Sequence, residues 1–249
     1  MSAPAVSVVI PVRDERENLR PLWEELRVAL QKLDRGFEAI FVDDGSGDGS
    51  AEALDRLARE DPRIRVFHLE EPSGQSAALE TGFRASRGDF VVTIDADLQN
   101  DPVDIPLLLD RMGALDLLAG YRLDRRDSVL RRISSRLANR IRDRVTGDAI
   151  RDAGCTLKVF RRRCLERILL YDGMHRFLPT LLRLEGYRVG EAPVRHRPRV
   201  WGSSKYNVRG RLFRTFVDLL AVRWMIKRRL RVRMKTAPVS ERGRSSRAG

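Results

Sequence analysis

Asp95-Ala96-Asp97-Leu98-Gln99 has the composition of a cation site. Carboxylates at i and i+2, with a carboxamide at i+4, offer hard oxygen donors. Divalent cations of the Mg2+ type take such donors and leave positions open for phosphate oxygens. An Asp-x-Asp also occurs in ordinary solvated loops, so the surrounding chain has to decide. The preceding run Phe90-Val91-Val92-Thr93-Ile94 is apolar but for Thr93 and reads as a buried strand with the carboxylates at its end. Two other loops repeat the pattern. Pro11–Glu15 follows an apolar run from Val6 to Val12, and Asp43-Asp44-Gly45-Ser46 follows one from Phe37 to Val42.

These loops need a scaffold that brings them together. Leu19, Leu22, Trp23, Leu26, Leu30 and Leu33 recur at helical spacing over 15–33, between the first two strands. A helix through Ala51, Leu54 and Leu57, a strand from Ile64 to Leu69 and a helix from Ala77 to Ala85 come before the Phe90 strand. A helix over 103–112 and a strand from Leu115 to Tyr121 follow it. Strands alternating with helices, each strand apolar on both sides, imply an α/β fold: a mostly parallel sheet covered on both faces. Ligands of such sheets bind at the carboxyl ends of the strands, where the three acidic loops fall.

The second half is less regular. It reads as a basic helix over 127–145, a strand from Thr156 to Phe160, helices over 162–170 and 175–185, a strand from Tyr187 to Val194, and a basic loop from His196 to Tyr206. A last helix over 209–230 can place Phe213, Phe216, Val217, Leu220 and Trp224 on one face. Charged residues interrupt it too often for the ~20 apolar residues of a membrane span. It suits a helix lying in the membrane interface, or one capping the core.

The 249 residues suffice for one sizeable core. The net charge of +13 is uneven: from Lys227 onward there are nine Lys or Arg and one acidic residue. Such a tail favours an anionic membrane surface, or is simply solvated. Nucleic acid is not the expected partner, because aromatics for base stacking are missing from that basic stretch. The two cysteines, Cys155 and Cys164, have no metal-ligand or disulfide pattern, and the N-terminal residues lack a signal-peptide pattern. A cytoplasmic chain, peripherally held on the inner face of the membrane, is expected.

The segments VSVVIPVRDERENL, VDDGSGDGS, GQSAALETGF and DADLQNDP together resemble the family-two glycosyltransferases of GT-A fold. Asp152–Lys158, Met174–Pro179 and Arg199-Val200-Trp201-Gly202-Ser203-Ser204-Lys205-Tyr206 extend the likeness. The last is similar to the branch that acts on dolichol and undecaprenyl phosphates. The resemblance implies a Rossmann-like catalytic domain over 1–208; apolar spacing and charge, for their part, give an amphipathic helix over 209–230 and a disordered basic tail over 231–249. It implies transfer of a sugar, with inversion, from a UDP- or GDP-sugar to a polyprenyl phosphate.

Pro11, Arg13, Glu15, Asp43, Asp44 and Gln75 would then line the donor pocket, with Asp95, Ala96, Arg199 and Lys205 around the diphosphate. Asp95, Asp97 and Gln99 would hold Mg2+ or Mn2+, and Asp97 and Asp152 would be the catalytic carboxylates. Arg122, Arg131 and Ser135 would receive the acceptor phosphate. Arg13 stands where Tyr is typical and Asp14 where Asn is typical, which leaves the base open. A small integral membrane protein is a further expected partner. Other readings are a non-processive transferase acting on a lipopolysaccharide or other glycan, and a basic nucleic-acid-binding protein. A processive synthase fits less well, since Leu220 stands where its Gln-x-x-Arg-Trp pattern needs Gln before Arg223-Trp224.

Overall fold

The computed structural model describes residues 4–33, 36–123, 142–147, 150–166, 168–199 and 208–229, with backbone only over 208–214. Seven strands, β1 (Val6–Val12), β2 (Phe37–Asp43), β3 (Ile64–His68), β4 (Phe90–Thr93), β5 (Leu117–Arg122), β6 (Lys158–Arg161) and β7 (Val189–Val194), form one sheet in the order β3-β2-β1-β4-β6-β5-β7. β1, β2, β3 and β4 run parallel, and β5 pairs parallel with β7. β6 runs against both neighbours, which makes the sheet mixed.

Helices α1 (Arg16–Leu30), α2 (Ser50–Glu60) and α4 (Asp104–Arg111) contribute Leu19, Leu22, Leu26, Leu54, Leu57, Ile105 and Leu108 to the core on one face of the sheet. The opposite face is covered by α3 (Gln75–Ala85) and α5 (Leu178–Leu184), through Ala78, Leu79, Phe83, Leu178 and Leu182. Alternate residues of β1 serve the two layers: Val6, Val8, Ile10 and Val12 face one, Val9 the other. Double coverage explains why all seven residues of β2 are buried. Cys155 and Cys164 are buried free thiols.

Two expected elements differ. In place of a helix over 162–170, β6 passes into a single 3-10 turn, Arg162–Cys164. Cys164 and Leu165 are then buried against the sheet, with Ile168 and Leu170 packed beside them. Covering that face overrides the local helical spacing. The helix expected over 175–185 is divided into a 3-10 turn, Met174–Phe177, and α5, which restarts with Pro179 in its first turn. Proline lacks the N–H that a continuous helix would use there. Of the basic helix expected over 127–145, only a helical turn at 142–146 falls within the described residues.

The last helix, α6 (Val208–Arg228), has two apolar faces. Leu219 and Val222 pack with Met174, Phe177 and Leu181. Phe216, Val217, Leu220 and Trp224 are exposed, Trp224 by 64%. The core-capping and outward readings of this segment therefore describe different residues of one helix. No described helix is long and apolar enough to cross a membrane.

α3 approaches β1 through Gly82, where an added Cβ would stand 2.2 Å from Val9 Cγ1. Gly to Ala inside a helix ordinarily stabilises by about 1 kcal/mol. Here Val9 is stiff, fully buried and central, so overpacking wins. Gly82→Ala is expected to destabilise the fold by about 1–3 kcal/mol, read as a lowered melting temperature. Adding Val9→Ala should recover part of the loss, and independent, additive losses would refute this packing.

Candidate active site

Because β2, β1 and β4 are parallel neighbours, their carboxyl ends deliver the three acidic loops to one rim. β4 pairs with β1 only from Val6 to Val9, so the strands separate beside Pro11, whose nitrogen has no hydrogen to contribute to a ladder. A small cavity opens at this point. Pro11, Thr93, Asp95, Gln75, Thr156, Lys158 and His175 are among its lining residues.

Asp97 is 7% exposed. Its Oδ1 accepts the Gln99 amide at 3.1 Å, and its Oδ2 accepts Arg199 Nη2 at 2.6 Å. Leu98 between them has φ +60°, a left-handed conformation rare for a bulky side chain, which bends the loop around Asp97. Asp95 Oδ1 accepts Gln75 Nε2 at 2.9 Å. Burial, and after it the charge of Asp97, push the Asp95 carboxyl up to about 7, against a hydrogen bond from Thr156 and the charges of Lys158 and Arg199. Gln99 is tied to the segment after β7: it accepts the Arg197 amide on its carbonyl at 2.8 Å, and its Nε2 lies 3.5 Å from the Arg197 carbonyl.

This donor set suits a divalent cation. Its oxygens are hard, two carboxylates crowd one recess, and a guanidinium already sits on Asp97 as a stand-in cation. No cluster of three or more His, Cys, Asp or Glu able to hold a metal exists among the described residues. A divalent ion here would therefore complete its shell with non-protein oxygens, as Mg2+ commonly does with water and phosphate.

On the β1 and β2 side, Asp44 acts as a clamp. Its carboxylate accepts the Ser73 amide at 2.6 Å and the Gly74 amide at 2.9 Å, just ahead of α3. Arg13 Nη1 donates to the Asp44 carbonyl at 2.7 Å. Asp43 has the turn role its position suggests, accepting the Ser46 amide at 3.2 Å, and also meets His68 Nδ1 at 3.2 Å. Asp14 has φ +49°, tolerable for Asp or Asn, and its Oδ1 accepts the Gly47 amide at 2.6 Å. Glu15 faces inward, accepting from Asn18 Nδ2 and, at 3.1 Å, from Arg199 Nη1.

Across the rim, Arg122 closes β5. Its Nε and Nη2 donate to the two oxygens of buried Asp152 at 2.7 and 2.9 Å. Arg131, Ser135 and Lys205 lie outside the described residues. The structure thus brings Asp95, Asp97, Gln99, Gln75, Glu15 and Arg199 together, with Ala96 buried in the same loop, and pairs Arg122 with Asp152. Lys158 has no role in the sequence reading beyond its place in the Asp152–Lys158 segment. It pairs across from Thr93, is 4% exposed and donates to the Cys155 carbonyl. A lone lysine inside an apolar strand was the available signal. Thr156 and His175 likewise enter the sequence reading only within the Asp152–Lys158 and Met174–Pro179 segments. His175 Nδ1 meets Ser76 Oγ at 2.9 Å, at the start of α3.

A dodecaprenyl-phosphate galacturonate synthase of Rhizobium johnstonii is 37% identical over 232 residues, covering 91% of this chain and 68% of the relative. An undecaprenyl-phosphate 4-deoxy-4-formamido-L-arabinose transferase of Pseudomonas paraeruginosa is 42% identical over 217 residues, covering 86% and 64%. The chain therefore spans about two thirds of the length of the curated relatives it matches.

Among solved structures, the Pyrobaculum calidifontis mannosyltransferase in complex with GDP-Man and Mn2+ aligns with TM-score 0.63 and 20% identity, over 89% of this chain and 64% of that one. Mycobacterium tuberculosis glucosyl-3-phosphoglycerate synthase, in a complex with Mn2+, UDP and glucosyl-3-phosphoglycerate, aligns with TM-score 0.65 and 18% identity, over 88% and 80%. These likenesses are of fold, and the fold is the GT-A arrangement implied by the resemblance. The model of Glycosyl transferase family 2 matches residues 7–169, from β1 through β6 and beyond, and the chain belongs to that family.

Proposed function

We propose that this chain transfers a sugar, with inversion, from a nucleotide-diphosphate sugar to a polyprenyl phosphate at a membrane surface. The observation that carries the reading is the Asp95–Asp97 pair on the β4 rim with Arg199 laid against it. The lipid acceptor is supported by the relatives, both of which are named for polyprenyl phosphates. A divalent ion on Asp95 and Asp97, Mg2+ or Mn2+, with Gln99 as a further oxygen donor, would act as a Lewis acid and neutralise charge on the departing nucleoside diphosphate.

The chain's own groups do the rest. Pro11, Arg13, Glu15, Asp43 and Asp44 frame the base and ribose; Gln75 holds Asp95 in orientation; Arg199 and Lys205 take diphosphate oxygens. Arg122, Arg131 and Ser135 receive the acceptor phosphate and aim one of its oxygens at the anomeric carbon. The new bond forms between that oxygen and the anomeric carbon while the bond to the nucleoside diphosphate breaks on the opposite face. A phosphate monoester, with a second pKa of about 6, is largely dianionic at neutral pH, so no strong base is needed. Asp152 is read accordingly as the group that holds Arg122, because both its oxygens are engaged by that guanidinium.

Exposed Phe216, Val217, Leu220 and Trp224 on α6, followed by Lys227, Arg228 and Arg229, suit the interface of an anionic bilayer on its cytoplasmic side. The expected basic tail over 231–249 would add to this attraction, and lies outside the described residues. The small integral membrane partner finds no support in these relatives.

Asp97→Asn is expected to lower kcat/KM by about 10²–10³-fold with the melting temperature little changed, as for loss of one preorganised electrostatic group. Transfer to lipid phosphate at the wild-type rate by the purified variant would refute the site. Arg122→Gln should raise KM for the lipid phosphate about 10–100-fold, the worth of a charged hydrogen bond, and leave donor KM nearly unchanged. Asp152→Asn should move the same constant by less; a larger effect on donor KM than on acceptor KM would reverse the assignment of this side. For the membrane, Leu220→Glu with Trp224→Glu is expected to cut co-sedimentation with anionic vesicles at least about tenfold, because the apolar contact is lost. Undiminished binding would remove α6 from the interface.

A further inference from the structure

Arg199 is held by carboxylates from two different loops. Nη2 reaches Asp97 Oδ2, beyond β4, at 2.6 Å, and Nη1 reaches Glu15 Oε1, beyond β1, at 3.1 Å. The segment leading to Arg199 is tethered, so a change of partner is confined to the side chain. The Arg195 amide donates to Asp104 Oδ2 at 2.6 Å, His196 bridges to Asn100, and the Arg197 amide donates to the Gln99 carbonyl at 2.8 Å. The Arg197 guanidinium is fixed between Glu25 and Asp101, at 2.7 and 2.8 Å. Arg199 is the next charged residue along this anchored strip, and its side chain is 28% exposed.

The consequence is competitive. Asp97 Oδ1 is occupied by a backbone amide and Oδ2 by a cation, so a bare divalent ion approaching Asp97 must displace or repel a guanidinium. A nucleoside diphosphate changes this balance. Its oxygens offer the planar Arg199 guanidinium a bidentate partner of higher charge than Asp97. Once Arg199 moves to the diphosphate, Asp97 is open to the metal, and Glu15 is released in the pocket assigned to the base and ribose.

We infer that Arg199 is a tethered internal cation that occupies the metal's place on Asp97 until a nucleoside diphosphate arrives, so that metal and donor load together. The inference rests on the donor and metal reading above. It goes beyond that reading by assigning Arg199 a second position and a role in the empty enzyme. In thermodynamic form, Arg199 is a source of the coupling between metal and nucleotide affinities.

Mn2+ binding followed by electron paramagnetic resonance, with and without UDP or GDP, tests it. Without nucleotide, Arg199→Gln should bind Mn2+ about tenfold more tightly than the wild type, the effect of removing roughly 1.4 kcal/mol of competition. Arg199→Lys keeps the charge but loses the two-pronged contact, and should fall between the wild type and Arg199→Gln. Arg84→Gln removes an equal charge from a remote surface pair and should change nothing. The nucleotide should tighten Mn2+ binding more in the wild type than in Arg199→Gln. Equal or weaker bare Mn2+ affinity in Arg199→Gln, with nucleotide-dependent Mn2+ binding intact in the wild type, would overturn the exchange and leave the donor reading standing. Absence of Mn2+ binding by the wild type with either nucleotide would overturn both.

Discussion

Two carboxylates, two residues apart at a partly buried strand end, repel one another, and much of the surrounding structure answers that repulsion. Asp95 and Asp97 cannot both remain charged in such a recess without compensation. Four groups supply it, three of them from other parts of the chain. The Gln99 amide and the Arg199 guanidinium meet Asp97, the Gln75 carboxamide meets Asp95, and Lys158 lies across the sheet behind it. Burial, and after it the charge of Asp97, still hold the Asp95 carboxyl raised. Two carboxylates so placed remain receptive to a further cation.

The mixed sheet is what lets those groups converge. Parallel β2, β1 and β4 place their loops on one edge, but a wholly parallel sheet would not put Lys158 opposite Thr93. The reversed direction of β6 does so, and it also brings Thr156 to the same cavity. On the far side of the strip, β7 leads into the Arg195–Arg199 segment, whose tethers to Asp104, Asn100 and Gln99 set the distance at which Arg199 meets the carboxylates. Positioning here comes from backbone hydrogen bonds as well as side-chain ion pairs, which suits a site that must be rigid before substrate arrives.

A second, shorter line of contacts joins the site to α6. Gln75 and Ser76 begin α3; Ser76 meets His175; Met174 and Phe177, on the same 3-10 turn, pack against Leu219 and Val222. Arg176 Nη1 adds a hydrogen bond to Thr215 Oγ1 at 3.1 Å. The inward face of α6 is thus part of the catalytic body, and its outward face carries a different set of apolar residues. One helix meets both demands because residues three and four apart share a face, so interleaved stripes can serve two surfaces.

Much of this was legible along the chain. Largely apolar runs marked β1, β2 and β4, helical spacing marked α1 to α4, and acidic residues at run ends marked the rim, because each signal is confined to a few neighbouring residues. Asp97 and its Gln99 neighbour belong to that local class. The helix expected over 162–170 failed for the complementary reason: Cys164 and Leu165 answer to the face they cover, not to their own spacing. Likewise, sequence order did not reveal that Arg122 is clasped by Asp152, or that Asp44 is spent on the Ser73 and Gly74 amides. Local pattern determined the strands, the layers, the acidic rim and the kind of ion it could attract. Tertiary structure alone decided that Arg199, 102 positions beyond Asp97, becomes its partner, and that Lys158 lies behind Asp95. Those meetings depend on strand direction, register and loop tethers, which are settled by pairing free energies between distant segments and leave no local mark on the residues involved.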